Sequence, residues 1–417
     1  MRQRFFRYKF RSCMMSDTDD RKKTPTVRER REATVGRIGF RERYRMPTER
    51  PPAVVYWIGI TVASLVLLGL IMVLSASSVV NLYDGSSAWG MFQRQLLWVI
   101  LGSVAMYFAI IMPYDMWKGN GFLLVPVTLT VLVANLVVGA RGRITNGAQA
   151  WLNIGQFQFQ PSEFMKIMTV LFCANFLARR HRSVAIKQAV LYPMLSVLLI
   201  TVGLCVLQRD FGGATIFFGV IITVLFMAGI PWRQLLALVG GTAAIAVVGY
   251  PYAGSAAVRV HAWLNMDQEV VRIDKGYQVY QALLSIANGG WQGTGAGSGT
   301  SKWGYVPLAH SDFIFAVVAE EMGLLGTVLV FGGFLLLIYF AVQVAYNASD
   351  THGAFIAGGV AAWFGVQAFV NIGGVVGLIP MTGLTLPFLS YGGSSIVASM
   401  IGAGLLINVA RYPKKSA

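Results

Sequence analysis

Cysteine and charge are what this sequence has least of. Three cysteines in 417 residues, Cys13, Cys173 and Cys205, are too few and too scattered for a disulfide framework or a metal cluster. Cys173 and Cys205 lie in apolar runs, where a thiol serves as a small packing group. Only 12% of the residues are charged and 55% are hydrophobic, with a mean hydropathy of +0.60, which excludes an ordinary soluble globular domain. No internal repeat is evident, which disfavours transporter folds built from inverted halves. The stretch Met1 to Cys13 is basic but has no long apolar core ending in small residues, so a cleavable signal peptide is not expected, and Met14 or Met15 is an alternative start.

The charge that is present is lopsided. The formal net charge is +16, and it is concentrated in residues 1–50, where Arg and Lys greatly outnumber Asp and Glu. A basic tail ahead of a first membrane span reads as cytoplasmic and attracted to anionic lipid. It lacks interleaved aromatics on a folded platform, which argues against nucleic acid, and its composition is that of a disordered segment.

Crossing a bilayer takes roughly 20 apolar residues, because no water in the hydrocarbon core can satisfy a free backbone group. Runs of that kind fall near 53–76, 91–112, 120–139, 161–178, 189–207, 212–229, 234–250, 312–345, 353–379 and 392–411. The expected fold is therefore an all-α membrane protein of about ten transmembrane helices, with a membrane domain over 51–412 and a cytoplasmic end at 413–417. With the basic tail inside, Arg179 through Lys187 and the closing Arg411, Lys414 and Lys415 also fall inside. The connections 77–90, 140–160, 208–211, 251–311 and 380–391 then face outward, and they hold most of the unusual polar, Gly and Pro content. The longest, 251–311, joins the seventh and eighth spans. It contains an amphipathic piece at 276–288, with Tyr277, Tyr280, Leu283, Leu284 and Ala287 at helical spacing, which reads as an interfacial helix and lid.

Several polar residues stand at these boundaries. Asp312 follows His310 and Ser311 where the long loop re-enters the membrane; it is either a partly desolvated proton acceptor or, with Ser311, an N-cap. Glu320 and Glu321 lie further along the same helix, and at least one must point inward. Glu163 and Lys166 follow Gln160-Pro161-Ser162 on one helical face, as a structural ion pair or as the polar wall of a cavity. Gln208-Arg209-Asp210 most simply reads as a solvated turn. Gly293 to Gly299 is glycine-rich but follows no strand and opens no evident helix, so it reads as a flexible hinge and not a dinucleotide site. Pro380, Gly383, Pro387, Gly392 and Gly393, with Ser394 and Ser395, break the helical pattern and imply a re-entrant backbone that lines protein or water.

Taken together these segments resemble one family, the SEDS proteins (shape, elongation, division and sporulation), which include FtsW, RodA and SpoVE. The likeness is carried by Asn146-Gly147-Ala148 with Trp151, Gln160-Pro161-Ser162-Glu163 with Lys166, Gln208 with Asp210, Lys302-Trp303-Gly304-Tyr305 and His310-Ser311-Asp312-Phe313. It continues through Gly383-Leu384-Thr385-Leu386-Pro387 to Ser390-Tyr391-Gly392-Gly393-Ser394-Ser395, so that it spans residues 53 to 411.

The resemblance implies a peptidoglycan glycosyltransferase that joins lipid II units, with Asp312 as the catalytic residue. It places Glu163, Lys166, Gln208, Asp210, Lys302, His310, Ser311, Glu321 and Ser394 around substrate. It further implies a class B penicillin-binding protein and other divisome proteins as partners, in a bacterial plasma membrane. The Lys302-Trp303-Gly304-Tyr305 and Gly383-Leu384-Thr385-Leu386-Pro387 segments look like FtsW. Ala150, Leu308, Arg209 and Thr382 depart from the common pattern, and Thr382 weakens the division assignment. A pyrophosphate leaving group needs positive charge, for which Arg259, Arg272, Lys275 and Lys302 are candidates, with a divalent cation such as Mg or Mn as a further possibility. The alternatives are a lipid II flippase, to which intramembrane charges are equally suited, a RodA-type elongation polymerase and a purely scaffolding subunit.

Overall fold

The computed structural model describes residues 51–83, 85, 87–116, 133, 151–154, 157–180, 187–249 and 254–413. The chain divides into two units, residues 1–46, which lie outside the described residues, and Pro47–Ala417. Asn146, Gly147, Ala148 and Ala150 also lie outside them.

Among the described residues nine helices fall on expected spans: α1 (Ala53–Tyr83), α2 (Gly90–Ile111), α3 (Pro161–Arg180), α4 (Lys187–Leu207), α5 (Phe211–Met227), α6 (Trp232–Gly249), α10 (Ile314–Asn347), α11 (Thr351–Val375) and α12 (Gly393–Ala410). The expected span at 120–139 lies outside the described residues except for Val133. Seven of the nine are long and apolar enough to cross a membrane. Of the other two, α5 has only 17 residues, and α3 carries Glu163, Lys166, Arg179 and Arg180. Three further helices, α7 (Ser255–Leu264), α8 (Glu269–Ile273) and α9 (Tyr277–Gly289), build the connection between α6 and α10. A short antiparallel hairpin, Leu152–Ile154 with Phe157–Phe159, precedes α3 and was not part of the all-helical expectation.

α11 is the central post, buried along most of its length and packed against α3, α5, α10 and α12. Small residues make this possible, because helices in a membrane gain by close van der Waals approach. A Cβ on Gly359 would meet Val170 of α3 at 2.9 Å, and one on Gly358 would collide with Met227 of α5. At the far end of the bundle, the Asn408 amide donates to the carbonyls of Ala109, Ile110 and Met112, and Arg411 donates to Ile110. These are the carbonyls that the end of α2 leaves without helical partners.

α1 runs to Tyr83, past its expected end at 76. Its last turns contain Ser75, Ser77, Ser78 and Asn81, which look like loop residues in sequence but are held inside the protein; Ser77 and Asn81 are buried, and the Ser75 hydroxyl donates to Glu321 at 2.6 Å.

In the long connection the expected amphipathic piece forms a helix, while the glycine-rich segment departs from expectation. α9 buries Ala282, Ser285 and Gly289 against the protein and leaves Leu284 and Ala287 of its expected apolar face exposed. Small residues win because α9 packs tightly on α10: a Cβ on Gly289 would collide with the Ala319 carbonyl. The glycine-rich segment is a strap rather than a flexible hinge. At Gly323 (φ 62°, ψ −154°) the ladder of α10 breaks, and the exposed carbonyls of Glu320 and Glu321 accept the amides of Thr294 (2.9 Å) and Gly295 (3.0 Å). The buried Glu320 carboxylate takes the amides of Thr300 and Ser301, the Thr300 hydroxyl and the Asn288 amide. Glu321 takes the Gly297 amide at 2.9 Å. Both carboxylates therefore point inward, which satisfies the rule that a charge at this depth must be paired.

Candidate functional site

α10 begins two residues after Asp312, with Phe313 at its N-cap position and no side-chain cap. The N-cap reading of Ser311 and Asp312 is thus corrected: the Ser311 hydroxyl donates to the Leu308 carbonyl, and the Phe313 carbonyl accepts the Ala316 amide. The Asp312 carboxyl lines a cavity of about 210 Å³ shared with Arg259, Trp263, Lys275, Gln278 and Gly383. Burial pushes this carboxyl up to about 7, against the opposing pull of Arg259 and a hydrogen bond from Ser311. Gly383 (φ +77°) stands against both charged groups; a Cβ there would lie 3.4 Å from Arg259 Nη1 and 3.5 Å from Asp312 Oδ2. The positive φ is what favours a glycine here, since a Cβ at these distances would make only ordinary contacts.

Arg259 and Trp263 are one helical turn apart on α7 and pin it to the segment between α11 and α12. Arg259 donates to the Thr382 carbonyl at 2.7 Å, and the Trp263 indole donates to the Gly377 carbonyl at 2.7 Å. Since Arg259 uses the main chain of Thr382, the departure from the family pattern at that side chain leaves this contact intact. Of the four cations weighed for a pyrophosphate, Arg259 and Lys275 line the cavity. Arg272 instead donates to the Met266 carbonyl and covers the Tyr280 ring. Lys302 is held under the strap by the Gly297 carbonyl and by Glu321 at 3.4 Å. Lys302 and Glu321 face each other there, away from the cavity of Asp312.

A second polar cluster is built on α3, α5 and α11. Lys166 Nζ lies 2.7 Å from Glu163 Oε2, donates to Gln367 at 3.0 Å and sits over the Trp363 ring. Asp210 caps α5, accepting the Gly213 amide at 2.8 Å, and Gln208 beside it is fully buried. The solvated-turn reading of this segment is therefore corrected; only Arg209, at φ 60°, is exposed. Burial raises the Asp210 carboxyl, while the Gly213 amide, Lys166 and Arg259 pull it down and Glu163 pushes it up. Asp210 thus feels charges of both clusters and lies electrostatically between them. The Ser394 hydroxyl accepts the Gln160 amide at 3.1 Å and ties the start of α3 to α12.

The non-helical segment 376–392 is held from three directions. The Ser390 hydroxyl accepts the Leu386 amide and donates to the Ser311 carbonyl, both at 2.7 Å. Gln95 of α2 donates to Ser390 and accepts from Gly392. Gln367 and Asn371 of α11 donate to the carbonyls of Thr385 and Leu384. The Tyr391 amide donates to His310, whose imidazole meets the Tyr391 ring edge-on and is held below its ordinary range by burial. Sequence reasoning missed Gln95, Gln367 and Asn371 as organising residues; the available signal was a polar amide inside an otherwise apolar span.

Among the described residues no group of three or more His, Cys, Asp or Glu side chains is placed to hold a metal. The donor set at Asp312 is one carboxylate beside a guanidinium, which does not fit a resident divalent cation.

The family model described as "Cell cycle protein", which covers FtsW, RodA and SpoVE, matches residues 56–415. The chain belongs to this family. Stage V sporulation protein E of Bacillus subtilis is 35% identical over 84% of this chain and 95% of its own length. The probable peptidoglycan glycosyltransferase FtsW of Trichlorobacter lovleyi is 37% identical over 84% and 91%. Among solved structures, a chain of a peptidoglycan synthase complex matches with TM-score 0.69 and 31% identity, covering 85% of this chain and 97% of that one. RodA of Thermus thermophilus, a rod shape determining protein, matches with TM-score 0.61 and 28% identity over 85% and 95%. The family match over residues 56–415 includes the segments that carry Asp312, Glu163 and Lys166.

Proposed function

We propose that this protein is a peptidoglycan glycosyltransferase that polymerises lipid II at the outer face of the plasma membrane, with Asp312 as general base. The observation that carries the reading is one carboxylate, raised to about 7 by burial, sharing a cavity with two cations, Arg259 and Lys275. Asp312 takes the proton of the acceptor sugar's 4-hydroxyl as that oxygen attacks the anomeric carbon of the donor. The bond from that carbon to the pyrophosphate oxygen breaks, undecaprenyl pyrophosphate leaves, and the new β-1,4 linkage has inverted configuration. Arg259 and Lys275 offset the negative charge that grows on the leaving pyrophosphate. Glu163, Lys166, Gln208, Asp210, His310, Ser311 and Ser394 form polar walls around the two sugars, and Lys302 and Glu321 act through the strap.

The Lys302-Trp303-Gly304-Tyr305 and Gly383-Leu384-Thr385-Leu386-Pro387 segments support a division role, with a class B penicillin-binding protein crosslinking the strands beside it. Both termini are then cytoplasmic and the Asp312 cavity opens outward.

The pH dependence tests the role of Asp312. A carboxyl raised to about 7 is mostly protonated, and unable to accept a proton, at pH below that value. The rate of glycan formation from purified lipid II is expected to rise with pH up to about 7 and then level off. A rate unchanged between pH 5 and pH 8, values that bracket the ordinary physiological titration window, would remove Asp312 as the base.

A further inference from the structure

Trp363, Gln367 and Asn371 recur every fourth residue and so share one face of α11. The indole of Trp363 donates to Gln367 Oε1 at 2.7 Å, and Lys166 donates to the same oxygen at 3.0 Å. Gln367 passes its own amide to the Thr385 carbonyl at 2.8 Å. One turn on, Asn371 Nδ2 reaches the carbonyls of Leu384 at 2.6 Å and of Asp312 itself at 2.9 Å. Asn371 is fully buried, and its Oδ1 has no hydrogen-bond partner.

The orientation of this amide is fixed by its neighbours: turned over, it would set its oxygen against two carbonyl oxygens. A buried carbonyl without a partner carries a desolvation cost that an apolar side chain of the same shape would not. What offsets that cost is the pair of bonds from Nδ2, which satisfy the Leu384 and Asp312 carbonyls. What the asparagine does is join the backbone of Asp312 to the segment that carries Gly383, the residue standing against the Asp312 carboxyl and Arg259.

We infer that Asn371 is a positioning residue that sets where the Asp312 carboxyl stands relative to the reacting sugars, by clamping the Asp312 and Leu384 carbonyls together. The inference rests on the proposed lipid II polymerisation. A general base displaced by about 1 Å forfeits on the order of 10²-fold in rate, even when the substrate still binds.

The test compares wild type, Asn371→Leu, Asn371→Ser and Asp312→Asn, each purified with the same penicillin-binding partner, with kcat and KM for lipid II taken per folded molecule. Asn371→Leu keeps the shape and removes both donors; its kcat is expected to fall about 10–10²-fold with KM within about twofold, the pattern of an interaction realised only at the transition state. Asn371→Ser keeps one donor and is expected to fall between Asn371→Leu and wild type. A wild-type kcat in either variant overturns the inference, as does failure of both variants to fold, which would make Asn371 purely structural. Asp312→Asn separates the two levels: if it polymerises like wild type, the reaction assigned to Asp312 fails, whatever Asn371 does.

Discussion

Asp312→Asn is expected to lower the rate of glycan formation by about 10²–10⁴-fold, the usual contribution of a positioned general base, while leaving lipid II binding unchanged. The substitution is isosteric and removes only the ability to take a proton. It should not unfold the protein, because the contacts that hold this stretch run through backbone atoms: Asn371 to the Asp312 carbonyl, Ser390 to the Ser311 carbonyl, and Tyr391 to the His310 carbonyl. Thermal unfolding in detergent checks the fold, and a binding titration with lipid II separates a lost base from a lost site. If Asp312→Asn binds weakly but reacts normally once saturated, Asp312 holds substrate and another group moves the proton.

The second large effect is on stability. Lys166→Met is expected to destabilise the fold by about 3–5 kcal/mol, because it strands a buried carboxylate. The Glu163 and Lys166 side chains are 5% and 2% exposed, and Lys166 also supplies the donor that Gln367 accepts. The double substitution Glu163→Gln with Lys166→Met is expected to recover most of the loss, since a neutral pair of similar volume carries no ionic desolvation cost. Thermal unfolding of wild type, single and double variants reads this directly. A single variant as stable as wild type would mean that Glu163 finds another partner, which would return the α3 pair to a functional role alone.

Local chemistry encodes part of this fold, and packing alone decides the rest. The spans are legible because a run of apolar residues has one solution in a bilayer, and α3 could be started at Pro161 because its missing amide hydrogen is harmless there. Asp312 could be singled out by its place at a membrane boundary, and the re-entrant segment by Pro380, Gly383 and Pro387. The strap was not legible: Gly293 to Gly299 reads as flexible until Gly323, in another element, breaks α10 and offers it two carbonyls and two carboxylates. Choosing Arg259 and Lys275 over Arg272 and Lys302 likewise required knowing which cations were already engaged elsewhere. The face by which α9 packs on α10 was not legible, because helical periodicity points to large apolar residues, whereas close approach to Ala319 requires small ones. Gln367 and Asn371 left a trace, two amides one turn apart in an apolar helix, whose meaning depends on carbonyls that the fold brings from distant parts of the chain.

The most direct measurement uses proteoliposomes of the protein with its penicillin-binding partner, supplied with labelled lipid II, for wild type and Asp312→Ala. Long β-1,4 glycan and released undecaprenyl pyrophosphate are expected from wild type alone. Lipid II carried across the bilayer by both proteins with glycan formed by neither would contradict the transferase and make the Asp312 cavity part of a transport path.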